Sequence, residues 1–163
     1  ANQWTALRYF AEANRFSRTV SAFAAYNATT RGTASQTVKA LETRGYLTRT
    51  RFDSDARSAR IDLTTAGWSQ LAHDPALALT EALARLPATL RAQLDRAVER
   101  LTCWVATARA QNVFGTCDAC RYLQVRASAG AHTGGHYCRI LAAYLDGDDM
   151  RGLCALYAPA GAR

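Results

Sequence analysis

Four cysteines crowd the last third of the chain with the spacing Cys117-x2-Cys120-x17-Cys138-x15-Cys154, and only one more, Cys103, stands before them. Thiolates are soft, strong ligands, and a Cys-x2-Cys loop chelates both zinc and iron–sulfur centres. In a reducing compartment, clustered thiols serve metal or redox chemistry more often than disulfides. Structural zinc commonly draws on two close pairs, whereas Cys138 and Cys154 stand alone and far apart. The pattern favours an iron–sulfur cluster, 2Fe-2S or 4Fe-4S, over zinc. Cys117, Cys120, Cys138 and Cys154 are the expected ligands, with a disulfide or bare-thiol switch as the remaining reading. His132 and His136 are near enough in sequence to replace one cysteine. Tyr122, Tyr137, Tyr144 and Tyr157 interleave the ligand positions, as a shield against water or as the small core of the lobe. Cys103, beside Leu101 and Val105, reads as a buried structural thiol.

The elements that must position this site fit a chain of 163 residues, enough for one domain with a small lobe. Residues 4–13 read as a helix, with Trp4, Leu7, Phe10 and Ala13 near helical spacing. Ser17 is the expected cap of a second helix reaching Tyr26, and a polar turn follows at residues 27–29. Thr30 caps a third helix that closes near Gly45, where glycine takes the left-handed conformation. In that helix Ala34, Val38 and Leu41 share one side, while Gly32, Gln36, Lys39 and Thr43 share the other. Extended segments at residues 46–51 and 59–63 flank a turn-rich loop at 52–58. Helix restarts at Thr64 or Thr65, and further helices at 76–86 and 88–111 are parted by Pro87. Leu90, Leu94, Val98, Leu101 and Val105 form an apolar stripe suited to a helix–helix seam. A short helix is expected at residues 137–145. The order is that of a mainly α protein with a small β-wing: a winged helix-turn-helix over 1–74, dimerisation helices over 75–111 and a four-cysteine lobe over 112–163.

The net charge is +7, and its placement matters more than its size. Between Arg15 and Arg60 nine basic residues face only Glu42, Asp53 and Asp55. A local excess of that kind neutralises a phosphate backbone and releases its counterions.

Residues 16–47, the helix-to-hydrophobic step Arg44-Gly45-Tyr46-Leu47, the wing Asp53-Ser54-Asp55-Ala56-Arg57-Ser58 and the junction Leu63-Thr64-Thr65-Ala66-Gly67 together resemble the MarR (multiple antibiotic resistance regulator) family, over roughly residues 4–110. The cysteine lobe resembles an extension carried by a subset of such regulators. The resemblance implies a dimeric transcriptional regulator that binds a pseudo-palindromic site in double-stranded DNA. The family's leading dimerisation helix would precede Ala1, and Asn27 and Ala28 replace an apolar residue and a glycine usual at the turn. By position in the third helix, Thr33 and Gln36 are the expected base contacts, since glutamine pairs bidentately with adenine and a threonine methyl meets thymine. Gly32 allows close approach, and Arg31, Lys39, Ser17 and Arg18 are the expected phosphate contacts. Arg57 resembles the family's wing arginine, which enters a minor groove, with Asp55 orienting it.

A cluster that is filled, oxidised or lost would then shift the lobe against the 90–105 helix and alter the separation of the recognition helices. The alternative is a regulator with a structural zinc that senses a small aromatic ligand in a pocket beside the dimer helices. Neither an acid–base pair nor a phosphate loop nor a His-Glu-x-x-His pattern accompanies the cysteines, so an enzyme is not expected. The sequence has no apolar run of roughly 20 residues and no signal-peptide pattern, which predicts a cytoplasmic protein.

Overall fold

An aromatic cluster on the first helix organises the amino-terminal two-fifths of the chain. In α1 (Gln3–Glu12) Leu7, Tyr9 and Phe10 are almost wholly buried, and the helical spacing turns them toward one side. Tyr9 and Phe10 meet Phe23 of α2 (Val20–Tyr26) at ring-centroid distances of 5.4 and 5.3 Å. Val38 and Leu41 of α3 (Arg31–Thr43) and Leu47 and Ile61 from the wing close the same core. The computed structural model describes residues 3–52, 55–125 and 135–160, excepting the side chains of 51, 52 and 55–58.

Local capping chemistry places these helices. Thr30 Oγ1 accepts the Thr33 N–H at 3.1 Å at the start of α3. At its other end Gly45 has φ +73°, and the Gly45 and Tyr46 N–H groups bond Glu42 O and Leu41 O at 2.9 Å each. This is a Schellman closure, the geometry for which a glycine after the last turn is suited. α2 begins later than the sequence suggests: Thr19, not Ser17, is its cap, accepting the Ala22 N–H at 3.1 Å. Both residues carry a hydroxyl, and tertiary packing decides between them.

The wing is an antiparallel pair of β1 (Leu47–Phe52) and β2 (Asp55–Leu63), with Leu47 opposite Leu63 and a register shift between Arg51 and Phe52. The strands run further than expected and absorb most of the polar stretch that reads as a loop. Thr64 then caps α4 (Thr65–Leu71) through the Gly67 N–H. A β-carbon at Gly67 would stand 2.2 Å from Tyr46 O, so the Leu-Thr-x-x-Gly junction is a packing requirement. Asp74 closes this half by taking a bidentate pair from Arg8, with the second contact at 2.7 Å. Those hydrogen bonds hold its carboxyl below the ordinary range.

Beyond Asp74 the packing changes. α5 (Leu77–Ala84) and α6 (Ala88–Ala108) contain no buried residue, and Leu90, Leu94, Val98, Leu101 and Val105 are each 38–63 % exposed. No helix among the described residues is long and apolar enough to cross a membrane. The carboxy-terminal lobe holds a 3₁₀ turn (Cys117–Ala119), a three-stranded antiparallel sheet in the order β3 (Leu123–Val125), β4 (His136–Cys138), β5 (Ala143–Tyr144), and α7 (Gly147–Arg151). The helix expected at residues 137–145 is therefore a hairpin, with Tyr137 opposite Tyr144, and Ala142 turns the chain at φ +51°. Tyr137 and Tyr144 side chains recur too closely to the helical period for sequence spacing alone to separate the two forms.

Ala28, in the turn between α2 and α3, has φ +49°, a conformation in which a β-carbon is strained. Replacing it with glycine is expected to relieve that strain: Ala28→Gly should gain about 1 kcal/mol, read as a higher urea midpoint at unchanged slope.

Candidate functional site

The exposed side of α3 is the first candidate surface. With Ala34, Val38 and Leu41 buried, Arg31, Gly32, Thr33, Gln36 and Lys39 all face outward. Among the described residues Arg31, Gln36 and Lys39 have no ion-pair or hydrogen-bond partner for their side chains, whereas Thr33 Oγ1 lies 2.9 Å from Thr30 Oγ1. A β-carbon on Gly32 would meet nothing closer than Thr30 Oγ1 at 3.7 Å, so folding does not require glycine there. A polar, unpaired ridge of this kind is suited to a partner with phosphates and base edges.

Many of the basic residues nearby are committed within the protein. Arg49 pairs with Glu42 at 3.0 Å, and Arg18 and Arg60 both reach Asp62, at 2.9 and 2.7 Å. Arg18 Nε also donates to Ala13 O at 2.9 Å. Ser17 is 2 % exposed: its hydroxyl accepts the Ala155 N–H at 2.9 Å, and its carbonyl accepts the Tyr9 hydroxyl at 2.7 Å. Ser17 and Arg18 therefore join elements of the fold, and neither belongs to the free ridge with Arg31 and Lys39. The side chains of Arg57 and Asp55 lie outside the described residues, as does His132.

The second candidate is the cysteine lobe. Cys117, Cys138 and Cys154 are buried and Cys120 is half-buried. Cys117 and Cys138 pack with Leu145, flanked by Phe16, Tyr122, Leu123, Leu141 and Met150. Burial, and then the neighbouring Cys154, Cys120 and Cys138, push the Cys117 thiol up to about 12. All three other sulfurs are thus within electrostatic reach of Cys117, in surroundings where a thiolate needs a cation. Among the described residues no group of three or more His, Cys, Asp or Glu side chains is close enough to hold a metal ion. The donor set fits zinc or an iron–sulfur cluster in kind and burial, and the sulfurs would have to close in on a shared centre. Cys103 is half-buried on α6, facing a cleft with Glu99, Thr102 and Tyr157, and not sealed in a seam. Tyr137 and Tyr144 stack edge-on at 5.2 Å, while the Tyr157 ring packs against Gly115.

The lobe is bonded to the joint between α1 and α2. Asn14 N–H donates to Leu153 O at 3.0 Å and Leu153 N–H to Glu12 O at 2.8 Å, one residue before Cys154. A β-carbon at Gly152 would stand 2.7 Å from Asn14 N, so the two backbones lie against each other. Arg15 reaches Tyr144 O at 2.9 Å, Asp149 at 3.1 Å and Asp146 at 3.3 Å. Asp146 and Asp149 form a capping box on α7, in which the N–H bond from Asp149 lowers the Asp146 carboxyl and burial raises that of Asp149. Against α6, by contrast, the lobe borders clefts. One, of about 570 Å³, is lined by Tyr26, Leu101, Val105 and Phe114 with Glu12 and Gln111 at its polar edge.

Three helices, a two-stranded wing and an exposed third helix define a winged helix-turn-helix. Residues 1–58 match the model of the MarR family, ending inside β2. Solved structures of the same architecture include Streptococcus pneumoniae FabT in complex with DNA, at 17% identity and TM-score 0.50 over 65% of this chain and 74% of that one. A MarR/EmrR family transcriptional regulator from Acinetobacter sp. ADP1 aligns at 22% identity and TM-score 0.51, over 64% and 75%. A MepR mutant from a multidrug-resistant S. aureus clinical isolate aligns at 19% and 0.52, over 63% and 76%. No curated protein matches the sequence.

The contrast between committed and free side chains is measurable. Ser17→Ala, which strips Ala155 N–H of its acceptor, should cost about 1–3 kcal/mol. Arg31→Ala should change stability by no more than about 0.5 kcal/mol. Equal urea midpoints for the two variants would contradict this division.

Proposed function

We propose that the protein is a dimeric DNA-binding transcriptional regulator whose affinity for a pseudo-palindromic operator is set by a four-cysteine iron–sulfur site. The observation that carries the DNA half is the exposed ridge of Arg31, Thr33, Gln36 and Lys39 on the third helix of a winged helix-turn-helix. The S. pneumoniae structure of the same fold, solved with DNA, supports it. With α3 in the major groove, Gln36 reads a base edge, Gly32 admits the groove wall, and Arg31 and Lys39 hold phosphates. Arg57 reaches the adjacent minor groove from the wing. The apolar, unburied faces of α5 and α6 are the surface on which a second copy would dock, fixing the distance between two recognition helices.

Cys117, Cys120, Cys138 and Cys154 hold the cluster in this reading, and the cluster supplies a redox state or an occupancy that answers to iron. The chain's own contribution is a buried donor set and the apolar shield of Phe16, Tyr122 and Leu145. The cleft at Tyr26, Phe114 and Leu101 favours a second reading, in which the cysteines carry structural zinc and a small aromatic molecule in that cleft is the signal.

Binding to operator fragments tests the DNA half. Lys39→Ala should weaken all sequences alike and reduce the slope of log affinity against log salt by about 1. Gln36→Ala should relax discrimination at one base pair by about 1–3 kcal/mol. A protein whose operator affinity ignores both substitutions does not read DNA with this face.

A further inference from the structure

We infer that Arg15 is the positioning residue that couples the cysteine lobe to the helix-turn-helix, so that rearrangement at Cys117 reaches α2 through α7 and Arg15. The chemistry at the cysteines rests on the reading above; the coupling rests on contacts.

Arg15 lies in the joint between α1 and α2, four residues before Thr19, the cap of α2. Its guanidinium spans two elements of the lobe: it donates to Tyr144 O of β5 at 2.9 Å and pairs with Asp149 at 3.1 Å and Asp146 at 3.3 Å at the start of α7. Neither carboxylate is loose. Asp146 Oδ1 accepts the Asp148 and Asp149 N–H groups at 2.9 and 2.7 Å, and Asp149 Oδ2 accepts the Asp146 N–H at 3.2 Å. Asp149 is 2 % exposed, and among the described residues Arg15 is its only cationic partner. A buried carboxylate binds its counter-charge tightly because its alternative is an unpaired charge away from water.

The same turn of α7 contacts the cysteines. Cys117 Sγ donates to Asp149 O at 3.6 Å, so the residue whose carboxylate holds Arg15 has its backbone against the first cysteine. Arg15 also lies over the Phe16 ring at 4.7 Å, and Phe16 packs on Cys117, Cys138 and Leu145. Cys117 donates its S–H in that contact, and a thiolate bound to a metal has no proton to donate, so loading the site breaks the bond to Asp149 O. α7 then moves with two carboxylates that grip the residue leading into α2. The backbone bonds at Asn14, Leu153 and Ser17 fasten the lobe but involve neither α7 nor its carboxylates.

A double-mutant cycle on the full chain separates this route from general loosening. Amide hydrogen exchange in residues 20–43 is followed in the parent protein, Cys117→Ser, Arg15→Met and the double variant. Coupling through Arg15 predicts that Cys117→Ser accelerates exchange there by about ten-fold when Arg15 is present and by less than about two-fold in the Arg15→Met background. Equal acceleration in both backgrounds, or none in the parent, overturns the inference. Arg15→Lys, which keeps the charge and loses the fork, serves if Arg15→Met fails to fold, and should also lower the Cys117→Ser effect. Exchange is read without DNA or cofactor. Metal and sulfide content of the same samples therefore reports separately on the cluster reading.

Discussion

The hydroxyl of Ser17 is buried between Ala155 N–H on one side and the α1–α2 joint on the other, and this contact fixes how the two halves of the protein stand together. Around it the Asn14–Leu153 and Leu153–Glu12 bonds form a short parallel bridge, and Gly152 leaves no room for a side chain between the two backbones. Buried backbone donors and acceptors must be paired, so the lobe cannot slide along this seam without breaking several bonds together. Leu153 and Ala155, the neighbours of Cys154 on either side, both take part in the seam. Cysteine site and helix-turn-helix are thus built on shared backbone rather than joined by a linker.

Electrostatics divides the basic residues in a way net charge conceals. Arg8, Arg15, Arg18, Arg49 and Arg60 are spent on carboxylates within the fold, most of them partly exposed pairs that add little stability each but fix orientation. Arg31 and Lys39 have no such partner and stand on the face opposite Ala34, Val38 and Leu41. Both are therefore available to a polyanion that meets the exposed face of α3. Its rigidity comes from two local devices, the Thr30 cap and the Gly45 closure, with Val38 and Leu41 anchoring it to the aromatic core.

Features set by neighbouring residues were readable in the sequence. Thr30, Gly45, Thr64 and the 34–38–41 stripe carry their meaning in short-range chemistry, and all four do what their positions imply. What depends on distant contacts was not readable. Ser17 and Thr19 are both capping residues, and only the lobe, more than a hundred residues away, decides that Ser17 turns inward. Residues 137–145 form a hairpin because Tyr137 and Cys138 find partners in Tyr144 and Ala143, a pairing that an apolar period near four does not reveal. Arg15 counted as one basic residue among nine, although its partners lie some 130 positions on. A local signal did exist for the far end of that link: Asp146-x-x-Asp149 has the spacing of a capping box.

If, as proposed, four cysteines make this winged helix-turn-helix responsive to iron or redox state, the most direct measurement is the inorganic content of protein purified without oxygen. Visible absorption, iron, acid-labile sulfide and zinc are determined on one sample of the parent chain and one of Cys138→Ser. The account predicts a coloured parent protein containing iron and sulfide, both lost together in the variant. A colourless parent protein with zinc bound, or with no metal at all, would contradict it.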